Sequence, residues 1–137
     1  MKKLFTILSF FLFTSEIVYS QDTSKIHAVD TAYDYIDVEE KPVPEHGLEA
    51  LYKSWNSLVN YPSEARQKNV EGKVFISFVV DESGKIMDPI VEQGLGYGCD
   101  EATINALLKT KLKWKPGTIN GENVKVRMSL PFSFKLI

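Results

Sequence analysis

Apolar residues return at every second position along the C-terminal end of the chain. Val124, Val126, Met128, Leu130, Phe132, Phe134 and Leu136 alternate with Lys125, Arg127, Ser129, Pro131, Ser133 and Lys135. A period of two belongs to a strand with one face in the core and the other in water, so a last strand is predicted here. From Lys73 to Val80 the pattern is denser. Val74, Ile76, Phe78 and Val80 share one face, and Phe75 and Val79 make the other face partly apolar too. Asp81-Glu82-Ser83-Gly84-Lys85 then has turn composition, with Gly84 free to take positive φ. Ile86 to Gln93 reads as the returning strand of a hairpin, broken by Gly94, Gly96 and Gly98.

Elsewhere the period is helical. Leu48, Leu51, Tyr52, Trp55, Leu58 and Val59 fall at i, i+3, i+4, i+7, i+10 and i+11, one apolar stripe. Gly47 precedes it and Asn60-Tyr61-Pro62 stops it. Pro62 suits the start of a short second helix over Ser63 to Lys68. Asp100-Glu101 open a third, where acids favour the positive end of the helix dipole. Its expected buried stripe is Ile104, Leu107, Leu108 and Leu112, with Ala102 and Ala106 alongside. Trp114-Lys115-Pro116-Gly117 ends it, and Asn120-Gly121 is a tight-turn pair leading into the last strand.

Proline placement suggests how the strands are ordered. Pro89 lies in the second strand and Pro131 in the third, and a residue without an N–H is tolerated mainly at a sheet edge. The first strand has no proline and is apolar on both faces, so it is expected in the middle. The fold class that follows is α+β: a two-layer sandwich with a small three-stranded antiparallel sheet, order 2-1-3, and helices on one face.

The N-terminus modifies this picture. Lys2 and Lys3 precede an apolar run from Leu4 to Phe13, and Val18-Tyr19-Ser20 fits a cleavage site before Gln21. The run is too short for a bilayer, which needs about 20 apolar residues. Residues 1–20 are therefore expected to be a signal peptide and the product to be periplasmic. An uncleaved inner-membrane anchor reaching Val18 is the alternative. Residues 21–46, with Pro42 and Pro44, are expected to form a flexible tether, leaving 47–137 as one domain. The formal charge of the 137 residues is −2, and no basic cluster is apparent, which argues against nucleic acid.

Groups for catalysis are sparse. The two histidines, His27 and His46, lie in or near the tether. Cys99 therefore has no histidine beside it within the domain to activate a thiolate, and a single cysteine makes no internal disulfide. Asp81-Glu82 and Asp100-Glu101 sit in a turn and a helix start, where acids have structural reasons to be. Gly94-Leu95-Gly96-Tyr97-Gly98 lacks the Gly-Lys-Ser/Thr ending of a phosphate loop. Trp55 lies on a helical stripe, and Trp114 stands where the chain turns back to the last strand. The expectations are no enzyme activity, no metal and no cofactor.

Several of these segments together resemble the C-terminal domains of TonB proteins. Tyr61-Pro62-Ser63-Glu64-Ala65-Arg66 looks like the family's Tyr-Pro-x-x-Ala-Arg/Lys opening. Val70-Glu71-Gly72-Lys73-Val74, with Phe78-Val79-Val80-Asp81 and the Gly84 turn, resembles its central hairpin. Cys99-Asp100-Glu101-Ala102, Trp114-Lys115-Pro116-Gly117, Asn120-Gly121 and Leu130-Pro131-Phe132 follow in order. The likeness runs from about Val38 to Ile137. It implies a periplasmic module that binds the short "TonB box" of outer-membrane receptors during energised nutrient import. It also implies binding along the last strand, carried by Val124, Lys125, Val126, Arg127, Met128, Ser129 and Leu130. The expected partner is a TonB-dependent receptor or another envelope protein, with pairing of two copies through strand edges also open. The chain departs from a full TonB protein in showing no evident membrane helix and no long proline-rich spacer. That keeps a short membrane-anchored transducer and a structural envelope adaptor as alternative readings.

Overall fold

The computed structural model describes residues 31–137; the expected signal peptide and the first part of the tether lie outside the described residues. Along the chain come β1 (Tyr33–Asp34), β2 (Val43–Pro44), α1 (Gly47–Leu58), α2 (Ser63–Gln67), β3 (Gly72–Val80), β4 (Ile86–Gln93), α3 (Cys99–Lys109), β5 (Trp114–Lys115), β6 (Gly117–Ile119), β7 (Glu122–Val124) and β8 (Val126–Phe134). The main sheet has the order β1-β8-β3-β4. Two small pairs, β2-β5 and β6-β7, complete the strands.

The three long strands are antiparallel neighbours with β3 in the middle, as its apolar composition predicts. Val74, Ile76, Phe78 and Val80 of β3 are fully buried, as is Val126 of β8, with Met128, Phe132 and Phe134 nearly so. Helices α1 and α3 cover this face. Leu51 and Trp55 of α1 are fully buried, and the Trp55 indole N–H donates to the Thr103 carbonyl at 3.0 Å, tying α1 to α3. Trp55 packs on Phe132 with ring centroids 4.9 Å apart, and Phe132 on Phe134 at 5.2 Å. Aromatic contacts of this kind add to the stabilisation from burying so much apolar surface.

The sheet corrects the three-stranded expectation. A fourth strand, β1, pairs in parallel with the start of β8, placing Tyr33 opposite Val126 and Asp34 opposite Arg127. Two residues are too few to show a period, so the sequence carries no alternation to reveal this strand. The described part of the expected tether also lies against the domain. Val38 is buried, the Glu39 and Glu40 amides donate to the Thr118 carbonyl, and β2 pairs antiparallel with β5. Of the two prolines that suggested a free extended segment, Pro44 instead lies in the short strand β2 opposite Trp114, with Pro42 just before it.

Three leucines also sit differently from their stripes; Leu112 lies beyond the end of α3 at Lys109. Leu48 and Leu108 are 48% and 49% exposed. Leu48 lies in the first turn of α1. The face that α3 buries is Cys99, Thr103, Ala106 and Leu107, which turns Leu108 outward.

Candidate functional site

The residues expected to bind along the last strand do not form one continuous edge. Val124 ends β7, held in a hairpin with Gly117 across the Asn120-Gly121 turn. Lys125 is the junction, and its carbonyl accepts the Tyr33 N–H at 2.8 Å. Val126 is buried, and the exposed Arg127 follows it; both are paired with β1. Only Met128, Ser129 and Leu130 lie beyond the cover of β1 and before the next obstacle. That obstacle is the Tyr52 hydroxyl, which donates to the Pro131 carbonyl at 3.0 Å.

Backbone groups along a strand alternate in direction. The Lys125 carbonyl faces β1, so Arg127, Ser129 and Pro131 turn their N–H and C=O positions to the same outer side. The Pro131 carbonyl agrees, since its donor comes from α1 rather than from β3. This parity also explains how β8 tolerates a proline: its nitrogen points away from β3, and the ladder loses no bond. Ser129 is left with its backbone toward the open edge, while its hydroxyl donates to the Glu92 carboxylate at 2.9 Å across the solvent-side face.

Beside this opening is a groove of about 370 Å³. Met128 and Leu130 form its sheet side, and Tyr35, Pro42, Val43, Pro44 and Leu48 form the opposite wall. The segment taken from sequence as tether therefore builds half of the site. Lys41 stiffens that wall, its ammonium donating to the Val38 carbonyl at 2.7 Å and standing 5.1 Å from the centre of the Tyr35 ring. Tyr35, Val43 and Leu48 are each almost half exposed and lie together along the groove.

The residues of the expected structural motif hold this frame. The Tyr61 hydroxyl donates to the Val70 carbonyl and its ring meets Phe134 edge-on at 5.3 Å, joining α2 to the end of β8. Pro62 leads into α2. Gly72 opens β3. Trp114 packs edge-on against Phe78 at 5.5 Å, and its backbone N–H donates to the Gly84 carbonyl. Gly84 has φ +82, and a Cβ there would stand 2.0 Å from the Trp114 carbonyl oxygen, so no other residue fits. Pro116 separates β5 from β6. Gly117 lies close against β8, where a Cβ would come within 2.6 Å of Val126.

Among the described residues, burial and local charges shift a few titratable groups. Burial first, then the neighbouring Asp100 and Glu101, push the buried Cys99 thiol up, away from thiolate. Slight burial would raise the Asp81 carboxyl, but hydrogen bonds from Ser83 and the Lys85 amide, with the Lys85 charge, bring it below its ordinary value. Burial raises the Tyr52 phenol, keeping it a donor to Pro131. Among the described residues no group of three or more His, Cys, Asp or Glu side chains could hold a metal. Nor is any helix there long and apolar enough to cross a membrane.

The family described as Gram-negative bacterial TonB protein C-terminal matches residues 57–136, more than half the chain. The chain belongs to that family. Among solved structures, the NMR solution structures of the Helicobacter pylori TonB C-terminal domain are similar in fold. One has 20% identity and a TM-score of 0.52, with 66% of this chain and 80% of that chain covered. A second has 20% identity and a TM-score of 0.49, covering 64% and 91%. The Pseudomonas aeruginosa TonB C-terminal domain shares 25% identity over 57% of this chain and 78% of that chain, with a TM-score of 0.45. No curated protein matches the sequence. Family membership ties the protein to the Gram-negative envelope and to TonB-dependent transport.

Proposed function

We propose that this protein is a periplasmic binding module, without enzymatic activity, that takes up an extended peptide segment of an outer-membrane receptor or another envelope protein as an added strand on β8. The observation that carries the reading is β1. The edge of β8 already accepts a strand in the parallel sense, with an acid, Asp34, opposite Arg127. An exposed strand edge offers backbone donors and acceptors to any extended chain, and side-chain pockets beside it give selectivity. Here the groove between Leu48 and Met128 supplies such a pocket, and Arg127 favours an acidic partner residue.

Only three residues of the edge are open, so a partner strand covering Lys125 to Leu130 has to replace Tyr33–Asp34. The exchange is within reach. A two-residue strand holds on by a few backbone hydrogen bonds of about 1 kcal/mol net each. A partner forming about six such bonds gains about 6 kcal/mol, less the 2–5 kcal/mol of ordering a flexible peptide. Binding is therefore weak and reversible unless the groove is filled.

The test is an amide-resolved NMR titration with synthetic N-terminal segments of outer-membrane receptors. The expected result is shifts at Val126 to Leu130 together with release of Tyr33 and Asp34. Arg127→Pro removes an outward-facing N–H without touching the β3 ladder, and it should weaken binding about tenfold, the worth of one or two hydrogen bonds. Undiminished binding to a folded Arg127→Pro variant would falsify the site.

A further inference from the structure

The lysines of this acidic chain are unevenly placed. Residues 102–121 contain no Asp or Glu but include Lys109, Lys111, Lys113 and Lys115. The four fall within seven residues, at the end of α3 and in the segment after it. Folding brings that stretch against the Asp81–Lys85 turn, where the Trp114 backbone N–H meets the Gly84 carbonyl at 3.2 Å. Between the turn and the end of α3 lies a cleft of about 430 Å³. Lys85, Lys111 and Lys113 form its rim, and Ile86, Leu108 and Leu112 are among its apolar walls. None of the residues lining it is acidic.

Three features narrow the occupant. Among the described residues the ion pair present is Lys115 with Glu40, so Lys111 and Lys113 have no carboxylate in ion-pair contact, while the Lys85 charge also acts on Asp81. The rim contains lysine and no arginine. Lysine is a mobile point charge suited to a diffuse anionic surface, whereas fixed recognition of a single carboxylate favours the guanidinium fork. Leu108 stands half-exposed within the ring of lysines, the arrangement by which a protein surface rests at the boundary of headgroups and acyl chains.

We propose that this cleft docks the protein on a membrane surface containing anionic phospholipid, with Lys85, Lys111 and Lys113 over the headgroups and Leu108 entering the interface. It shares no residue with the groove beside β8, so the two readings stand or fall separately.

The experiment is flotation of the full chain with phosphatidylcholine vesicles, with and without phosphatidylglycerol. The quantity read is the gain in binding that phosphatidylglycerol confers. Each variant keeps the same N-terminal segment, so its contribution cancels. The double variant Lys111→Glu, Lys113→Glu should lower the gain at least about tenfold, since each lysine near an anionic surface contributes about 1 kcal/mol. Leu108→Asn should lower it by roughly threefold or more. A matched reversal elsewhere, Lys53→Glu with Lys135→Glu, should change it by less than about threefold, because charges beyond a Debye length are screened. All these side chains are exposed; thermal melts confirm folding, and Lys111→Gln with Lys113→Gln replaces the reversal if it unfolds. A second reading comes from NMR with short-chain phosphatidylglycerol below its micelle concentration, where shifts should centre on Lys85 and Leu108 to Lys113. The proposal is overturned if phosphatidylglycerol gives no gain, if the matched reversal loses as much as the cleft variant, or if the shifts lie elsewhere.

Discussion

The two long edges of the sheet are closed in different ways. β4 closes itself. Its pairing with β3 slips between Phe75 and Ile76 and again between Ser77 and Val79, each time fitting an extra residue into β4. Asp88 lies there at φ 47, and Pro89 follows with no N–H to offer. Bulges and proline in the edge strand itself bar a further strand permanently. β8 is the opposite. It pairs with β3 through nine consecutive residues without a shift, and its single proline faces outward. What closes it comes from elsewhere: two residues of β1 at one end and the Tyr52 hydroxyl at the other. An edge blunted by its own backbone cannot be opened, whereas one covered by borrowed groups can. That difference supports the proposal that β8 is the side that meets a partner.

The contrast can be broken most forcefully at the turn that holds β4 beside β3. Gly84→Val forces a side chain into the Trp114 carbonyl at positive φ. It should cost about 3 kcal/mol, lowering the melting temperature by roughly 10–20 °C. Differential scanning calorimetry reads this, and a loss of only a few degrees would mean that the turn relaxes freely. Next comes the far stop of the β8 edge. Tyr52→Phe removes the donor to Pro131 and should cost about 1 kcal/mol, measured by urea unfolding. Amide exchange at Phe132, whose N–H faces β3, should rise in the same variant as the end of β8 loosens.

The near stop should be weaker still. Tyr33→Pro removes the N–H that reaches the Lys125 carbonyl. Local opening at Arg127 should then become easier by up to about 1 kcal/mol, seen as faster hydrogen exchange, with little change in global stability. If β4 amides exchanged faster to the same degree, the separate closure of the two edges would be wrong. The smallest effect concerns Asp81. Its folded carboxyl lies below the ordinary value, so its contribution is present at neutral pH and fades as pH falls through the aspartate range. Asp81→Asn should flatten the acid limb of the stability curve while shifting it little elsewhere.

Legibility followed element length. β3 and β8 are long enough for alternation to declare both strand and buried face, β4 was declared as a strand by the turn before it, and the stripe Leu51, Trp55 declared α1. The central position of β3 and the edge position of β4 were readable from Pro89 and from the apolar faces. β1, β2, β5, β6 and β7 run two or three residues each, too short for any period, so the cover on β8 was invisible. Half of the groove was lost with it, because Tyr35, Pro42, Val43 and Pro44 read as an unstructured tether. Their large apolar side chains were the available signal: a free linker has no use for them. Leu108 was misplaced for a different reason. A helical stripe gives a direction but not its width, and α3 buries only the narrow side that contains Thr103 and Ala106.

The two tryptophans give this molecule a built-in optical readout. Trp55 stacks beside Tyr52 at 5.7 Å and touches Phe132, close to the far stop of the β8 edge, with its indole N–H hydrogen-bonded. Trp114 lies against Phe78 and the Gly84 turn, and its buried indole N–H has no partner. Their emission colours and quenching should therefore differ. Replacing either one with phenylalanine leaves a single fluorophore, at the strand edge or beside the lysine-rimmed cleft. A change at one end of the domain can then be followed without labelling and without disturbing the other.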